Sequence, residues 1–208
     1  MEETKLANMK VKITLLEDML GTAPNNKEIY TDYLASKAPE GKDVKDEIDS
    51  IEEPDGIEEM RQMTVFHRNP DTNQPIIFDY LVKGFFKNAC SAMREVPKSE
   101  SSKIKAYKKK IDNLVFVAPR MIDIDMSGEM TICERPLRAQ TAQGERVALS
   151  CSESIPAGST MEIEITTLTD DLMNTVIEWL DYGKLNGLGQ WHNSGKGRFS
   201  WEDITNKQ

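Results

Sequence analysis

No apolar run in these 208 residues approaches the roughly 20 that a membrane-spanning helix needs. The opening residues, MEETKLANMKVKI, lack the apolar stretch of a signal peptide, so a bacterial cytosolic location is expected. Cysteine is scarce. Cys90, Cys133 and Cys151 are odd in number and have no CxxC spacing, which argues for reduced thiols rather than disulfides or zinc. Only two histidines are present, His67 and His192, so acid–base and metal chemistry have little to work with. There is no Walker A motif, no dinucleotide fingerprint and no solenoid-type repeat. No cofactor and no metal are expected.

With 38% hydrophobic and 29% charged residues, the chain can bury one sizeable core. We read 1–208 as a single domain with inserted segments. The net charge of −9 is unevenly placed. Residues 40–59 hold ten acids against two lysines, a net of −8, which leaves −1 for the other 188 residues. Overall acidity opposes a non-specific grip on nucleic acid, but a nearly neutral remainder leaves room for a local basic face. The spacing of Val44, Ile48 and Ile51 makes 40–60 a mobile acidic insert or short helix. Residues 98–110 carry six lysines and one glutamate, read as a solvated loop and helix face.

Alternation of Val11, Ile13 and Leu15 with Lys10, Lys12 and Thr14 predicts a strand over 10–16. A helix is expected over 27–37 and a short strand over 63–67. A second helix starts at Asp79 as N-cap, with Leu81, Phe85, Ala89, Ala92 and Met93 inward. Gly84 lies inside it, at about 1 kcal/mol relative to alanine, as if to admit another backbone. Strands follow over 114–117 and 121–125. A hairpin turn at Ser127-Gly128-Glu129 leads to a return over 130–134, and 98–146 reads as an inserted helix and hairpin region. Further strands span 146–152 and 160–166. Thr169 caps a helix with Leu172, Met173, Val176, Ile177 and Leu180 inward, and Gly183 suits its C′ position. A last strand covers 197–201. Within this series a β-α-β-β-α-β order can be picked out, the ferredoxin-like arrangement of an α+β fold with helices on one face of an antiparallel sheet.

The densest signal is residues 170–199, DDLMNTVIEWLDYGKLNGLGQWHNSGKGRF. Five glycines (Gly183, Gly187, Gly189, Gly195, Gly197) fall within fifteen positions, interleaved with Trp191, His192, Lys196 and Arg198. Glycine-rich turns form anion-binding nests, a tryptophan face stacks a base, and Lys196 and Arg198 add charge. The alternative is a structural loop turning beneath a buried Trp191. Arg135, Arg138 and Arg146 fall in ERPLRAQTAQGERV, where arginine forks suit phosphate or salt-bridge Glu134 and Glu145. Asp123 and Asp125 point the same way on a strand and invite comparison with a metal site, though a solvated face is the simpler reading.

Four stretches, in order, resemble the RAMP superfamily, the RNA-handling proteins of CRISPR effector complexes. They are KVKITLLEDMLGTAP; PIIFDYLVKGFFKNA with its Lys83-Gly84 pair; SESIPAGSTMEIEI; and GLGQWHNSGKGRF. The resemblance implies an RRM-like, ferredoxin-like fold holding RNA or a small nucleotide on its sheet and glycine loop, with Lys83 among the ligand contacts. It also implies a β-hairpin near the arginines that touches RNA, and head-to-tail association into a homo-oligomer. Some processing nucleases of the superfamily cleave RNA with histidine, which makes His192 the candidate general base. The chain is also similar to uncharacterised early proteins of phages infecting Gram-positive bacteria. That implies a phage relative interfering with host CRISPR or nucleotide-signalling defence, by sequestration or subunit mimicry, with a host defence protein as partner.

Three functions follow. The first is non-enzymatic RNA or nucleotide binding through Gly187, Gly189, Trp191, Gly195, Lys196, Gly197 and Arg198, with Lys83, Arg135, Arg138 and Arg146. The second is a protein–protein inhibitor whose segment 40–59 mimics nucleic acid. The third is an RNA endonuclease using His192.

Overall fold

The fold is taken from a computed structural model, which describes residues 6–25, 63–141 and 144–206, with backbone alone at 137–148. The helix expected over 27–37 and the acidic segment 40–60 lie outside the described residues. Among the described residues the strands are β1 (Ala7–Leu15), β2 (Met19–Leu20), β3 (Ala23–Pro24), β4 (Thr64–Val65), β5 (His67–Arg68), β6 (Pro75–Phe78), β7 (Val115–Ala118), β8 (Met121–Asp123), β9 (Thr131–Thr141), β10 (Gly144–Ile155), β11 (Thr160–Thr167) and β12 (Phe199–Asp203). The helices are α1 (Asp79–Met93) and α2 (Tyr107–Leu114), between β6 and β7, and α3 (Asp170–Tyr182), between β11 and β12.

Alternating side chains make the main sheet. Met9, Val11, Ile13 and Leu15 of β1 and Met161, Ile163 and Ile165 of β11 are buried, and the register sets Val11 opposite Ile163 and Ile13 opposite Met161. The order is β12-β1-β11-β7, all neighbours antiparallel. In sequence these are the sheet's fourth, first, third and second strands, with α1 between the first two and α3 between the last two. Val82, Phe85, Phe86, Ala89 and Cys90 of α1 and Leu172, Val176, Trp179 and Leu180 of α3 join the inward strand residues in one core. The Phe86 and Trp179 rings lie 5.5 Å apart, and Phe85 meets Phe199 edge-on at 5.1 Å. Each such side chain contributes about 1.5–3 kcal/mol by burial, so this core holds both helices to one face of the sheet. The fold is α+β.

A carboxylate reinforces the packing from outside. Glu178 accepts from the backbone N–H groups of Glu100 (2.9 Å) and Ser101 (3.0 Å) and from the Ser101 hydroxyl, which itself accepts from Trp179 Nε1 (2.9 Å). The turn leading to α2 is thereby tied to α3. Cys90, beside it, has its thiol pKa pushed up by burial.

Two smaller sheets flank the core. One orders β2-β10-β4-β3, with β9 along the other side of β10; the other is β5-β6-β8. β9 and β10 form a hairpin in register from Thr131 opposite Ser154 to Thr141 opposite Gly144.

Several expectations need correction. Ser127-Gly128-Glu129 does not close a hairpin: β8 pairs β6, while β9 finds eleven partners along β10, far more than three-residue β8 offers. Residues 98–146 are not wholly an insert, because β7 is the edge strand of the main sheet. Asp79 is not the N-cap. Phe78 holds that place, extended and paired with Met121, so the helix begins only after it. The inward face of α1 is centred on Val82, Phe86 and Cys90 as well as Phe85 and Ala89, and Ala92 and Met93 are only half-buried. Trp179 and Thr175 join the buried face of α3. Gly183 caps α3 in a right-handed conformation, and its missing side chain has a packing reason: a Cβ would overlap the Phe199 ring.

Candidate functional site

Residues 183–198 fold back on themselves and onto the turn after β1. Leu188 N–H donates to the Gly197 carbonyl (3.0 Å), Gly197 N–H to that of Asp18 (2.7 Å), and Leu16 N–H to that of Arg198 (2.7 Å). Two glycines make this possible. Gly197 has φ +68°, and a Cβ there would overlap the Leu188 carbonyl; a Cβ on Gly187 would overlap Gly197. The four glycines of residues 187–197 therefore shape the loop.

Its cations are already paired. Lys196 Nζ lies 3.1 Å from Asp18 Oδ2, and Arg198 Nη2 lies 2.9 Å from Glu17 Oε1. Burial opposes the charge on Asp18, but bonds from Lys196 and the Ala157 N–H outweigh it and hold the carboxyl below its ordinary range.

Trp191 is neither buried nor free. The residue is 42% exposed, its backbone is left-handed at φ +57°, and the Arg135 guanidinium stacks on its ring at 4.7 Å. Arg135 itself is only 7% exposed. Its Nη2 donates to Gln190 Oε1 at 3.0 Å, while Nε and Nη1 are buried without a partner. A buried cation short of acceptors is unfavourable by its desolvation. A non-glycine residue held at positive φ adds about 1–3 kcal/mol of strain. Both features sit where β9 meets the loop.

A cleft of about 390 Å³ opens between residues 187–192 and α1. Tyr80, Gly84 and Asn88 line it from the helix, and Gly187, Gly189 and His192 from the loop. The Lys83-Gly84 pair and the glycine loop, far apart in sequence, are thus brought together, but through Gly84. Lys83 turns away: its Nζ donates to the Asp112 carbonyl (3.3 Å) and lies over the Phe116 ring at 5.5 Å. Sequence reasoning missed Tyr80, Asn88 and Gln190. Tyr80 and Asn88 are each four residues from Gly84, and that helical spacing was the available signal.

The remaining candidates scatter. Arg138 stands opposite Val147 and Arg146 opposite Ala139 on the β9–β10 hairpin. Asp123 accepts from Asn69 Nδ2 at 2.7 Å, and no His/Cys/Asp/Glu group able to hold a metal occurs among the described residues. His192 Nδ1 lies 3.2 Å from the Gly189 carbonyl. The sheet face away from the helices sets Lys10 opposite Glu164 and Lys12 between Glu162 and Glu202, an arrangement of mixed charge. No described helix is long and apolar enough to cross a membrane.

No family model and no curated protein matches the chain. Solved structures do. A chain in the cryo-EM structure of the Type III-B Cmr-beta bound to cognate target RNA aligns over 95% of this chain, with a TM-score of 0.54 and 13% identity. This protein spans 59% of that chain. A chain of a Type IV-B CRISPR complex aligns over 97% of this chain and 92% of its own length, with a TM-score of 0.47 and 9% identity. The first likeness is one of fold.

Proposed function

We propose that this protein is a RAMP-like, ferredoxin-like binder of single-stranded RNA, working without cleavage. The observation carrying this reading is the stacked pair of Arg135 and Trp191. A guanidinium with two unsatisfied donors lies under an exposed indole, on a strand that continues to Arg138 and pairs with the strand of Arg146. A base stacks on the open face of such a ring for about 1–3 kcal/mol, and phosphate supplies the acceptors the arginine lacks. The sheet order and the fold shared with a chain of an RNA-bound complex support the reading. Neighbouring copies would associate head to tail along the strand. Encoded by a phage, such a protein would act on host RNA-guided defence by sequestering RNA or by standing in for an effector subunit.

Arg135→Met separates binding from folding. It removes a desolvated charge and fills similar volume, so its melting temperature should equal or exceed wild type. Its affinity for a fluorescent single-stranded RNA in anisotropy titrations should fall about tenfold, some 1.4 kcal/mol. A wild type that fails to bind RNA, or a variant that binds equally well, overturns the reading; RNA cleaved during the titration overturns the non-enzymatic part.

A further inference from the structure

Gly84 has no internal reason to be glycine. It lies in the middle of α1, where glycine is a poor helix former. Its φ is not positive, and a Cβ built there meets nothing within 4 Å. The glycines of the nearby loop differ: at Gly187 and Gly197 a side chain would collide with backbone. What Gly84 keeps open is the cleft, with Tyr80 one turn before it and Asn88 one turn after on the same helix face.

The cleft's chemistry is specific. None of its lining residues is Asp, Glu, Lys or Arg, so no such side chain is there to pair with phosphate or carboxylate. Its walls are apolar or aromatic: Tyr80, Phe85 and Leu188. Tyr80 is itself braced by Phe78, the two rings stacked at 5.6 Å and 11°. Its polar groups are edge groups. The Asn88 carboxamide, one acceptor and two donors, has no hydrogen-bond partner among the described residues. The Gly189 carbonyl can only accept, so His192 Nδ1 donates to it. Flat walls with donors and acceptors at the rim, and no Asp, Glu, Lys or Arg, match a heteroaromatic ring. The volume falls within the roughly 300–1,000 Å³ range of small-ligand sites. Only Gln190 and Trp191 separate Gly189 from His192, so cleft and stacking platform belong to one loop.

We infer that the cleft between α1 and the glycine loop takes a single unstacked nucleobase, with Asn88 reading its edge and Gly84 admitting it. This rests on the RNA-binding reading and deepens it: the strand's backbone would lie at Arg135 and Trp191, while one base turns into the cleft.

Gly84→Leu fills the cleft without touching Arg135 or Trp191. It improves helix propensity, so the melting temperature should stay level or rise. Its affinity for single-stranded RNA should fall about tenfold, with no loss for an RNA of equal length made abasic throughout. Asn88→Ala should reduce discrimination among adenine, uracil, guanine and cytosine homopolymers. Adenosine and uridine, titrated against wild type by NMR, should perturb the amides of 84–88 and 187–192, and Gly84→Leu should abolish this. RNA binding unchanged in both variants sinks the cleft assignment and leaves RNA binding standing. Nucleosides that bind wild type when RNA does not leave the cleft assignment standing and sink RNA binding; neither binding sinks both. A Gly84→Leu variant that keeps its RNA affinity but loses self-association overturns the inference in favour of a protein occupant.

Discussion

Asp18 shows how little of the site's electrostatics is visible along the chain. It lies 178 residues from Lys196, yet the pair is 3.1 Å long. Its carboxyl is held below the ordinary value of 3.8. On acidification the unfolded chain therefore takes up the proton first. The stability Asp18 contributes is complete above pH 3.8 and is lost as pH falls through the lower folded value. Asp18→Asn should thus be less stable than wild type at neutral pH, with the gap closing below pH 3.8, as read from urea midpoints. The group is 43% exposed, so the gap is small; a gap that widens in acid contradicts the pairing. Trp191, Lys196 and Arg198 were legible as a cluster because they share one loop. That Lys196 and Arg198 would be neutralised was not, because Glu17 and Asp18 sit at the opposite end of the sequence. Arg135 was legible as an arginine near strands, and its stacking on Trp191 across 56 positions was not.

At the scale of elements, strands with strict alternation were the readable ones. Residues 160–166, with Met161, Ile163 and Ile165 inward, became β11 within a residue, and 10–16 became β1. Pairing was less readable, since a turn such as Ser127-Gly128-Glu129 predicts a hairpin only if no longer partner competes, and β10 does. The face of α1 was misjudged because both Val82-Phe86-Cys90 and Leu81-Phe85-Ala89 fit a helical period, and burial across several elements decides between them. The glycine loop is the element whose sequence and shape agree best. Gly197 at φ +68° beneath the Leu188 carbonyl leaves no room for a side chain. Gly197→Ala should destabilise the protein by about 1–3 kcal/mol in urea unfolding; a change under about 0.5 kcal/mol would mean the loop relaxes without it.

For the molecule as a whole, Arg135 of the hairpin meets Gln190 and Trp191 of the loop, α1 lines a cleft against that loop, and Lys10, Lys12, Glu162 and Glu164 lie on the sheet face away from the helices. On that face Lys10 and Lys12 each face acids, so a phosphate backbone meets alternating charge there. Lys10→Ala combined with Lys12→Ala should change RNA affinity less than about twofold, since exposed cross-strand pairs are worth only about 0.2–1 kcal/mol. A tenfold loss by the same anisotropy titration would move the strand onto the sheet. The acidity of residues 40–59 adds a repulsive background that raised salt weakens, which favours short-range contacts over charge in bulk.

Glu17 and Asp18 have a further consequence. They stand beside Arg198 and Lys196 as an arriving phosphate would, so the protein carries its own placeholder anions. A ligand there exchanges one negative partner for another and gains only the difference. Stray anions gain almost nothing, and a ligand of the proposed kind would owe its affinity to the ring and the cleft instead.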